Sequence, residues 1–278
     1  MDASWSDLPH TQIYNAVVYC QDDLIPQEAS NTIYGFAALN TRWIDLEEPV
    51  QDALKHTLMR TLRGMTVQEL ASFMYSIAVL SFEATELQSP PSTSTMNSNH
   101  KYSLYDVFEE ALIRFKQVRN LAFDKENYDQ FAVFFAFIAV IPNGIAMVES
   151  VLGGMPVTSG PSGCVPSGLH SKLIHAMLEH LHETDYTIQH EFNGLNGVFP
   201  IDSAVYYKDE LLAFIEIDGE THYKANGVEL RRKDLLKKYL YQYHYPSTPL
   251  FRVRSDQIHR LGYDKVGEVL AKWIESTH

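Results

Sequence analysis

The sequence predicts an α-helical region in the N-terminal half of the chain and a small α/β module in the C-terminal third. In the first part, apolar residues recur every three or four positions, as in 50–62, which is helical spacing. In the last part, short segments rich in β-branched and aromatic residues alternate with helical patterns, as expected for a mixed sheet with covering helices. The stretch 153–168 is rich in Gly, Pro and Ser and reads as a linker. We therefore expect domains at 1–152 and 169–278.

The helical region contains an internal similarity. Segments 27–39 and 68–80 both open with Gln-Glu and both place Tyr eighth, Ala eleventh and Leu thirteenth, at an offset of 41 residues. A helical pattern lies between them, and a degenerate third copy begins near Tyr128. A helix pair that repeats every forty residues predicts an α-solenoid-like array. The alternative is an irregular helical bundle in which the similarity arose by chance.

Acidic residues are concentrated in the first two-thirds of the chain. The whole sequence carries a formal net charge of −13. From Tyr186 onward there are 12 Lys and Arg residues against 13 Asp and Glu, whereas the preceding part has 10 against 22. Because phosphate neutralisation supplies much of nucleic-acid affinity, any RNA contact is expected in the C-terminal module. The acidic helical part is better suited to a protein partner.

No segment of the sequence predicts a membrane span. The longest apolar run, 131–141, is too short and ends at Pro142. The N-terminus is acidic and shows no targeting pattern. Cys20 and Cys164 lie far apart and form neither a metal-binding cluster nor a disulfide framework. Reduced thiols in an intracellular compartment are the expectation.

The C-terminal module carries a dense acidic stretch after an apolar strand pattern. The segment FIEIDGETH places Glu216, Asp218 and Glu220 within five residues and ends at His222. Residues at i and i+2 of a strand share one face of the sheet. Glu216 and Asp218 are therefore expected side by side. The alternative for Asp218 is a structural one, because Asp-Gly after a strand is also a turn signal.

This stretch, with the helix, strand and final helix that follow it, resembles the RAP domain, a module named for RNA-binding proteins abundant in apicomplexan parasites. The resemblance runs from about Phe199 to Trp273 and is most specific at Glu216–His222. The preceding helical pattern is similar to the repeats of octotricopeptide and FAST-kinase-type RNA regulators. The resemblance implies a restriction-endonuclease-like (PD-(D/E)xK-like) α/β fold, an RNA-processing role and, through the known relatives, an organellar compartment such as a mitochondrion or plastid.

The same resemblance implies a candidate nuclease site. Restriction-type nucleases place an Asp at one strand end and an acidic pair on the next strand, and the matching residues are Asp202, Glu216 and Asp218. These three would hold Mg²⁺ or Mn²⁺, which lowers the pKa of water and neutralises the scissile phosphate. The sequence departs from the pattern because Asp218 stands where a catalytic lysine is usual. His222 or Lys224 is the candidate assistant to a metal-bound water. The alternative for His222 is a structural histidine.

Asp202 can share a face with Glu216 only if the intervening hairpin has the right register. A two-residue loop at 209–210 would pair Asp202 with Ile217 and send it to the wrong face, whereas a three-residue loop would pair it with Glu216 or Asp218. Since a one-residue slip reverses the facing of every side chain, the nuclease hypothesis requires an odd-length loop or a β-bulge.

A cluster of basic residues follows the acidic stretch. The candidates for phosphate contact are Lys224, Arg231, Arg232, Lys233 and Lys237. The alternative is the solvated face of an amphipathic helix. Three functions are therefore predicted: an RNA-binding protein in RNA processing or stability, first; a metal-dependent nuclease, second; and an acidic helical scaffold for a protein partner, third.

Overall fold

A computed structural model describes residues 9–88, 102–121, 123–156, 168–182, 185–195, 197–224 and 229–277. The chain divides into two compact units, Met1–Thr158 and Ser159–His278. Most of the predicted linker, Cys164 within it, and the Ser/Pro-rich segment near residue 95 lie outside the described residues. No helix in the described ranges combines the length and the hydrophobicity needed to cross a membrane.

The described part of the first unit is helical. Seven α-helices follow one another there: α1 His10–Cys20, α2 Pro26–Ala38, α3 Glu48–Thr61, α4 Val67–Ser81, α5 Leu104–Val118, α6 Lys125–Ile138 and α7 Gly144–Leu152. The even-numbered helices pack successively on one another, α2 on α4 and α4 on α6. The odd-numbered helices do the same, from α1 to α7. The helices that carry the internal similarity, α2 and α4, are therefore direct neighbours.

Local sequence signals begin several of these helices. The side chain of Thr66 accepts a hydrogen bond from the backbone N–H of Glu69, whose carboxylate accepts from the N–H of Thr66. This reciprocal arrangement satisfies two N–H groups that a helix start leaves unpaired. Ser103 and Asp106 repeat it at α5. The apolar faces then bury a core rich in Phe, in which Phe108 contacts both Phe134 and Phe137 edge-on.

The second unit is a four-stranded mixed sheet with helices on both faces. Its order is α8 Gly168–His180, β1 Tyr186–Phe192, β2 Ile201–Tyr207, β3 Glu210–Asp218, α9 Arg232–His244, β4 Leu250–Arg254, α10 Ser255–Leu261 and α11 Tyr263–Thr277. The strands lie in the order β1-β2-β3-β4. β1, β2 and β3 are antiparallel neighbours, and β4 runs parallel to β3. Mixed α/β architecture with a helical N-terminal region is thus confirmed.

The two faces of the sheet differ in chemistry. Ala213 and Ile215 belong to the apolar core formed with α8 and α11. Those two helices approach closely at Gly267, where a Cβ atom would lie 2.7 Å from the backbone of Ala176. The alternate residues of β3 face α9, where Phe214 meets the ring of Tyr241. We call this second side the α9 face.

A bulge in the β2–β3 hairpin sets the facing of the acidic residues. The turn is Lys208-Asp209, with φ values of +48° and +67°, and Tyr207 pairs with Glu210. Continued without interruption, that register would place Asp202 opposite Ile215. Instead Tyr206 pairs with Leu211 and Val205 with Ala213, so Leu212 is an extra residue. The shifted register places Asp202 opposite Glu216, on the α9 face. The turn lies one residue earlier than the 209–210 loop considered from the sequence, and the bulge supplies the register that the nuclease hypothesis requires.

Candidate metal centre

Glu216 lies inside the second unit and forms an ion pair with a lysine of α9. Its side chain is 3% exposed, and Oε1 accepts a short hydrogen bond from Lys237 Nζ. The same ammonium donates to the carbonyl of Pro200 at 2.7 Å. Burial raises the pKa of Glu216, and Lys237 acts in the opposite direction. Glu216 Oε2 is buried and has no hydrogen-bond partner among the described residues, which is costly unless something else contacts it.

Asp202 lies next to this pair and is partly exposed. Its Oδ2 accepts a hydrogen bond from the backbone N–H of Ile217 at 2.6 Å, which fixes the carboxylate against β3. Burial raises its pKa, and nearby Glu191 and Asp218 also raise it. The pKa of Glu191 is raised by burial first and by Glu216 second. Carboxylates that raise one another's pKa form a site that favours a cation or a proton.

Glu191 and His170 complete the cluster, and the sequence analysis missed both. His170, Glu191 and Asp202 each offer one ligand atom, and these atoms lie within 4.8 Å of one another. Glu191 belongs to β1 and has φ of +50°, which is uncommon for a residue with a side chain. Its neighbours His190 and Phe192 pair with Ser203 and Ile201, so Glu191 stands at the level of Asp202.

His170 comes from the first turn of α8 and is 3% exposed. Its Nε2 lies 2.6 Å from the hydroxyl oxygen of Ser203, and its ring contacts His190 edge-on. Burial, with a contribution from His190, lowers the pKa of His170 to about 4. The imidazole is therefore neutral at pH 7, which is the form that binds metals.

Asp218 does not belong to the metal cluster, so its predicted metal role is wrong. Both carboxylate oxygens are occupied: Oδ2 accepts from Arg252 Nε at 2.8 Å and from the Tyr223 hydroxyl at 2.9 Å, and Oδ1 accepts from Arg252 Nη2. The residue is 1% exposed. Glu216, two residues earlier on β3, is buried as well. Each acid recruits an internal cation, which offsets the cost of burying its charge.

His222 forms a dyad with Asp234 of α9. Nδ1 of His222 lies 2.7 Å from Asp234 Oδ1 and 3.9 Å from Asp218 Oδ1. The hydrogen bond with Asp234 raises the pKa of His222, and burial opposes it. His222 is partly exposed, so it remains a candidate for proton transfer at this end of the sheet.

The predicted phosphate-contacting residues fall into two groups. Arg232 and Lys237 are 2% and 7% exposed, so their assignment to a solvated phosphate-binding surface is wrong. Lys233 is exposed. Lys224 pairs with Glu229 at 2.7 Å. Arg231 donates to the carbonyl of Tyr223 at 3.0 Å.

A sequence signal existed for both missed residues, but it was weak. Glu191 stands in a strand pattern directly before the strand of Asp202, and antiparallel neighbours bring such residues together. His170 opens a helical pattern in which it lies on the apolar face with Leu173 and Met177. Nothing in the local sequence distinguishes it from a core histidine.

No family model matches the sequence, and no curated protein matches it. The RAP resemblance therefore stays a prediction that depends on the residues quoted for it.

Proposed function

We propose that this protein is a divalent-metal-dependent nuclease that acts on RNA through its second unit. The observation that carries the proposal is the buried carboxylate of Glu216, which has one oxygen on Lys237 and the other without a partner, beside Asp202. Structural ion pairs normally satisfy their buried oxygens. An acid that keeps one buried oxygen unpaired next to a second carboxylate is arranged to receive a cation.

The donor set fits a divalent ion. Asp202 and Glu191 supply carboxylate oxygens, which Mg²⁺ and Mn²⁺ prefer, and His170 adds a nitrogen. Glu216 lies opposite Asp202 on the neighbouring strand. A bound ion of this kind would supply charge neutralisation at the phosphate and a lowered pKa for water. Asp202 is partly exposed, so a phosphodiester can approach from that side.

Lys237 offers the cationic group that the sequence pattern lacks. The usual lysine position of restriction-type nucleases holds Asp218, whose oxygens are committed to Arg252 and Tyr223. Lys237 reaches Glu216 from α9 instead. Its ammonium fixes the orientation of Glu216 and contributes positive charge at the site. Such fixed charges stabilise the negative charge that develops on a phosphoryl group.

The fold supports the same assignment. A helix, three antiparallel strands, a crossover helix and a fourth strand parallel to the third agree with the restriction-endonuclease-like core that the RAP resemblance implies. RNA as substrate comes from that resemblance. The two rows of helices in the first unit support an α-solenoid-like array, and its acidic charge suits a protein partner rather than RNA.

The test is a cleavage assay on labelled single-stranded RNA and single-stranded DNA with Mg²⁺, with Mn²⁺ or with EDTA. The wild-type protein should cut RNA only when a divalent ion is present. Glu216→Gln should reduce the rate by at least ~100-fold, since it removes a charge that the transition state requires. Glu220→Gln is the matched control, because Glu220 is exposed and lies four residues further along the same stretch.

Equal cleavage rates for the wild type and Glu216→Gln would show that Glu216 takes no part in catalysis. A wild-type protein that binds RNA but cuts neither nucleic acid with either ion would replace the nuclease with an RNA-binding role. Circular dichroism and thermal melting of each variant establish that a loss of cleavage is not a loss of fold.

A further inference from the structure

We propose that His170, Glu191 and Asp202 form, beside the buried carboxylate of Glu216, a binding site for a transition-metal dication of the Mn²⁺ class, and that His170 makes the site prefer Mn²⁺ to Mg²⁺. This site deepens the proposed function, on which its catalytic meaning rests. Its existence is tested by metal binding alone.

The geometry is close to that of an occupied site. With metal–ligand bonds of about 2.1–2.2 Å, two donors on opposite sides of one ion lie about 4.3 Å apart. The atoms offered by His170, Glu191 and Asp202 all lie within 4.8 Å of one another. Only one pair of donors can lie on opposite sides of the ion, and adjacent donors of an octahedral ion lie about 3 Å apart, so side-chain shifts of about an ångström or more would bring all three onto one ion. Each donor comes from a different element, α8, β1 or β2, so the site is anchored on the packed core of the unit.

An independent observation points to a ligand at this place. Glu216 is 3% exposed and its Oε2 has no partner among the described residues. The shifted register of the β2–β3 hairpin places Asp202 opposite Glu216, so the two carboxylates lie on one face of the sheet. A cation between these oxygens would satisfy the buried lone pairs that the protein leaves unmatched.

The support around His170, Asp202 and Glu216 resembles that of a metal site. Metal-ligating residues are usually held by further hydrogen bonds that set their orientation. Ser203 contacts the imidazole of His170 at 2.6 Å, the N–H of Ile217 fixes Asp202 at 2.6 Å, and Lys237 holds Glu216. Three donors with fixed orientations lose little side-chain entropy when an ion binds.

The nitrogen donor is the reason for selectivity. Mg²⁺ takes oxygen ligands in near-ideal octahedra and keeps several waters. Imidazole suits transition metals, whose affinity for a mixed nitrogen and oxygen site rises from Mn²⁺ onward. Three carboxylates alone would serve either ion. The neutral imidazole of His170 is the one donor of the cluster that adds affinity for Mn²⁺ without adding affinity for Mg²⁺.

The experiment titrates Mn²⁺ alone into the full-length protein and follows the loss of the free-ion electron paramagnetic resonance signal, with Mg²⁺ as competitor. The wild type should bind one Mn²⁺ and require at least a ~10-fold excess of Mg²⁺ to displace half of it. His170→Gln should weaken Mn²⁺ binding by at least ~10-fold, since loss of an outer-shell partner alone costs about 10–100-fold, and abolish the preference. His175→Gln, an exposed histidine on the same helix, should bind Mn²⁺ as the wild type does.

Absence of Mn²⁺ binding in the folded wild type, or equal Mn²⁺ affinity in His170→Gln and His175→Gln, would overturn the proposal. If His170→Gln does not fold, as judged by circular dichroism, Glu191→Gln replaces it, because Glu191 is only half-buried. Unchanged Mn²⁺ affinity in that variant overturns the site equally. Mn²⁺ binding without RNA cleavage would support the metal site and reject the nuclease function. Metal-dependent cleavage that is unchanged in His170→Gln would support the nuclease function and reject this metal site.

Discussion

Replacing Lys237 by Met removes the cation that pairs with the buried carboxylate of Glu216. Met keeps the length of the side chain and its apolar contacts, so the change is chiefly one of charge. Removing one partner of a buried ion pair costs about 3–5 kcal/mol, because the other charge is left uncompensated. Lys237 also donates to the carbonyl of Pro200, so the upper half of that range is expected.

The double variant Lys237→Met with Glu216→Gln separates charge from packing. With neither charge present, the penalty for an isolated carboxylate disappears, and stability should return to within about 1–2 kcal/mol of the wild type. The Lys237→Met defect should also shrink as the pH falls. Burial already raises the pKa of Glu216. A carboxyl whose folded pKa lies above its unfolded value destabilises the protein at high pH and ceases to do so once it is protonated.

Hydrogen exchange measured by mass spectrometry on peptides of β3 and α9 reports on the second unit separately from the first. Thermal melting should show a loss on the order of 10–20 °C for Lys237→Met, at roughly 4 °C for each kcal/mol in a unit of this size. A single variant within about 1 kcal/mol of the wild type, or a double variant as unstable as the single one, would refute the view that the pair is a buried, charge-compensated contact.

Three further outcomes are expected. Asp218→Asn should lower the free energy of unfolding in urea by about 2–4 kcal/mol, because it weakens the buried contact with the Arg252 guanidinium. The same variant should bind Mn²⁺ within ~3-fold of the wild-type affinity. A larger loss of Mn²⁺ affinity would show that Asp218 belongs to the metal site. His222→Gln should destabilise the protein at pH 5.5 but not at pH 9. The pKa of His222 is raised in the folded state, so protonation contributes stability below about pH 6.5, and this stability is lost as the pH rises through the folded pKa. Equal differences in melting temperature at both pH values would contradict this. Replacing the turn Lys208-Asp209 by Asn-Gly, which suits two positive φ angles, should raise the melting temperature by a few degrees, and a fall would show that the turn side chains make needed contacts.

Local periodicity was sufficient to predict most elements of both units. The helices that carry the internal similarity and the strand that ends at Asp218 depend on residues three, four or two apart, and such spacings are visible in any window of the sequence. The register of the β2–β3 hairpin could be predicted only conditionally: the sequence showed which loops would place Asp202 beside Glu216, but not which loop forms. Whether Leu212 bulges out depends on the packing of both sheet faces, which no local pattern records.

The residues of the candidate site were harder to predict from the sequence than the secondary structure. The RAP resemblance predicted Asp202, Glu216 and Asp218 as metal ligands, and the basic cluster predicted phosphate contact for Lys237. The partners of Asp218 and Lys237 in the structure lie 34 and 21 residues away along the chain, respectively. Charged residues are usually exposed at the protein surface, so basic residues such as Lys237 are expected from the sequence to be solvated. Only the tertiary fold shows that these charges neutralise one another inside the protein.

That internal pairing bears on how a nucleic acid could be held. Of the basic residues of the second unit, Arg232 and Lys237 are buried, and Arg252 is committed to Asp218. Lys265 and Lys272 both pair with Glu268. Lys233, Lys238 and Arg260 are exposed and remain among the described residues for phosphate contact. Each such contact adds about one to the slope of log affinity against log salt. Binding should accordingly be weak and only shallowly salt-dependent without a divalent ion, so the acidic cluster has to gain its attraction for phosphate from the cation it binds.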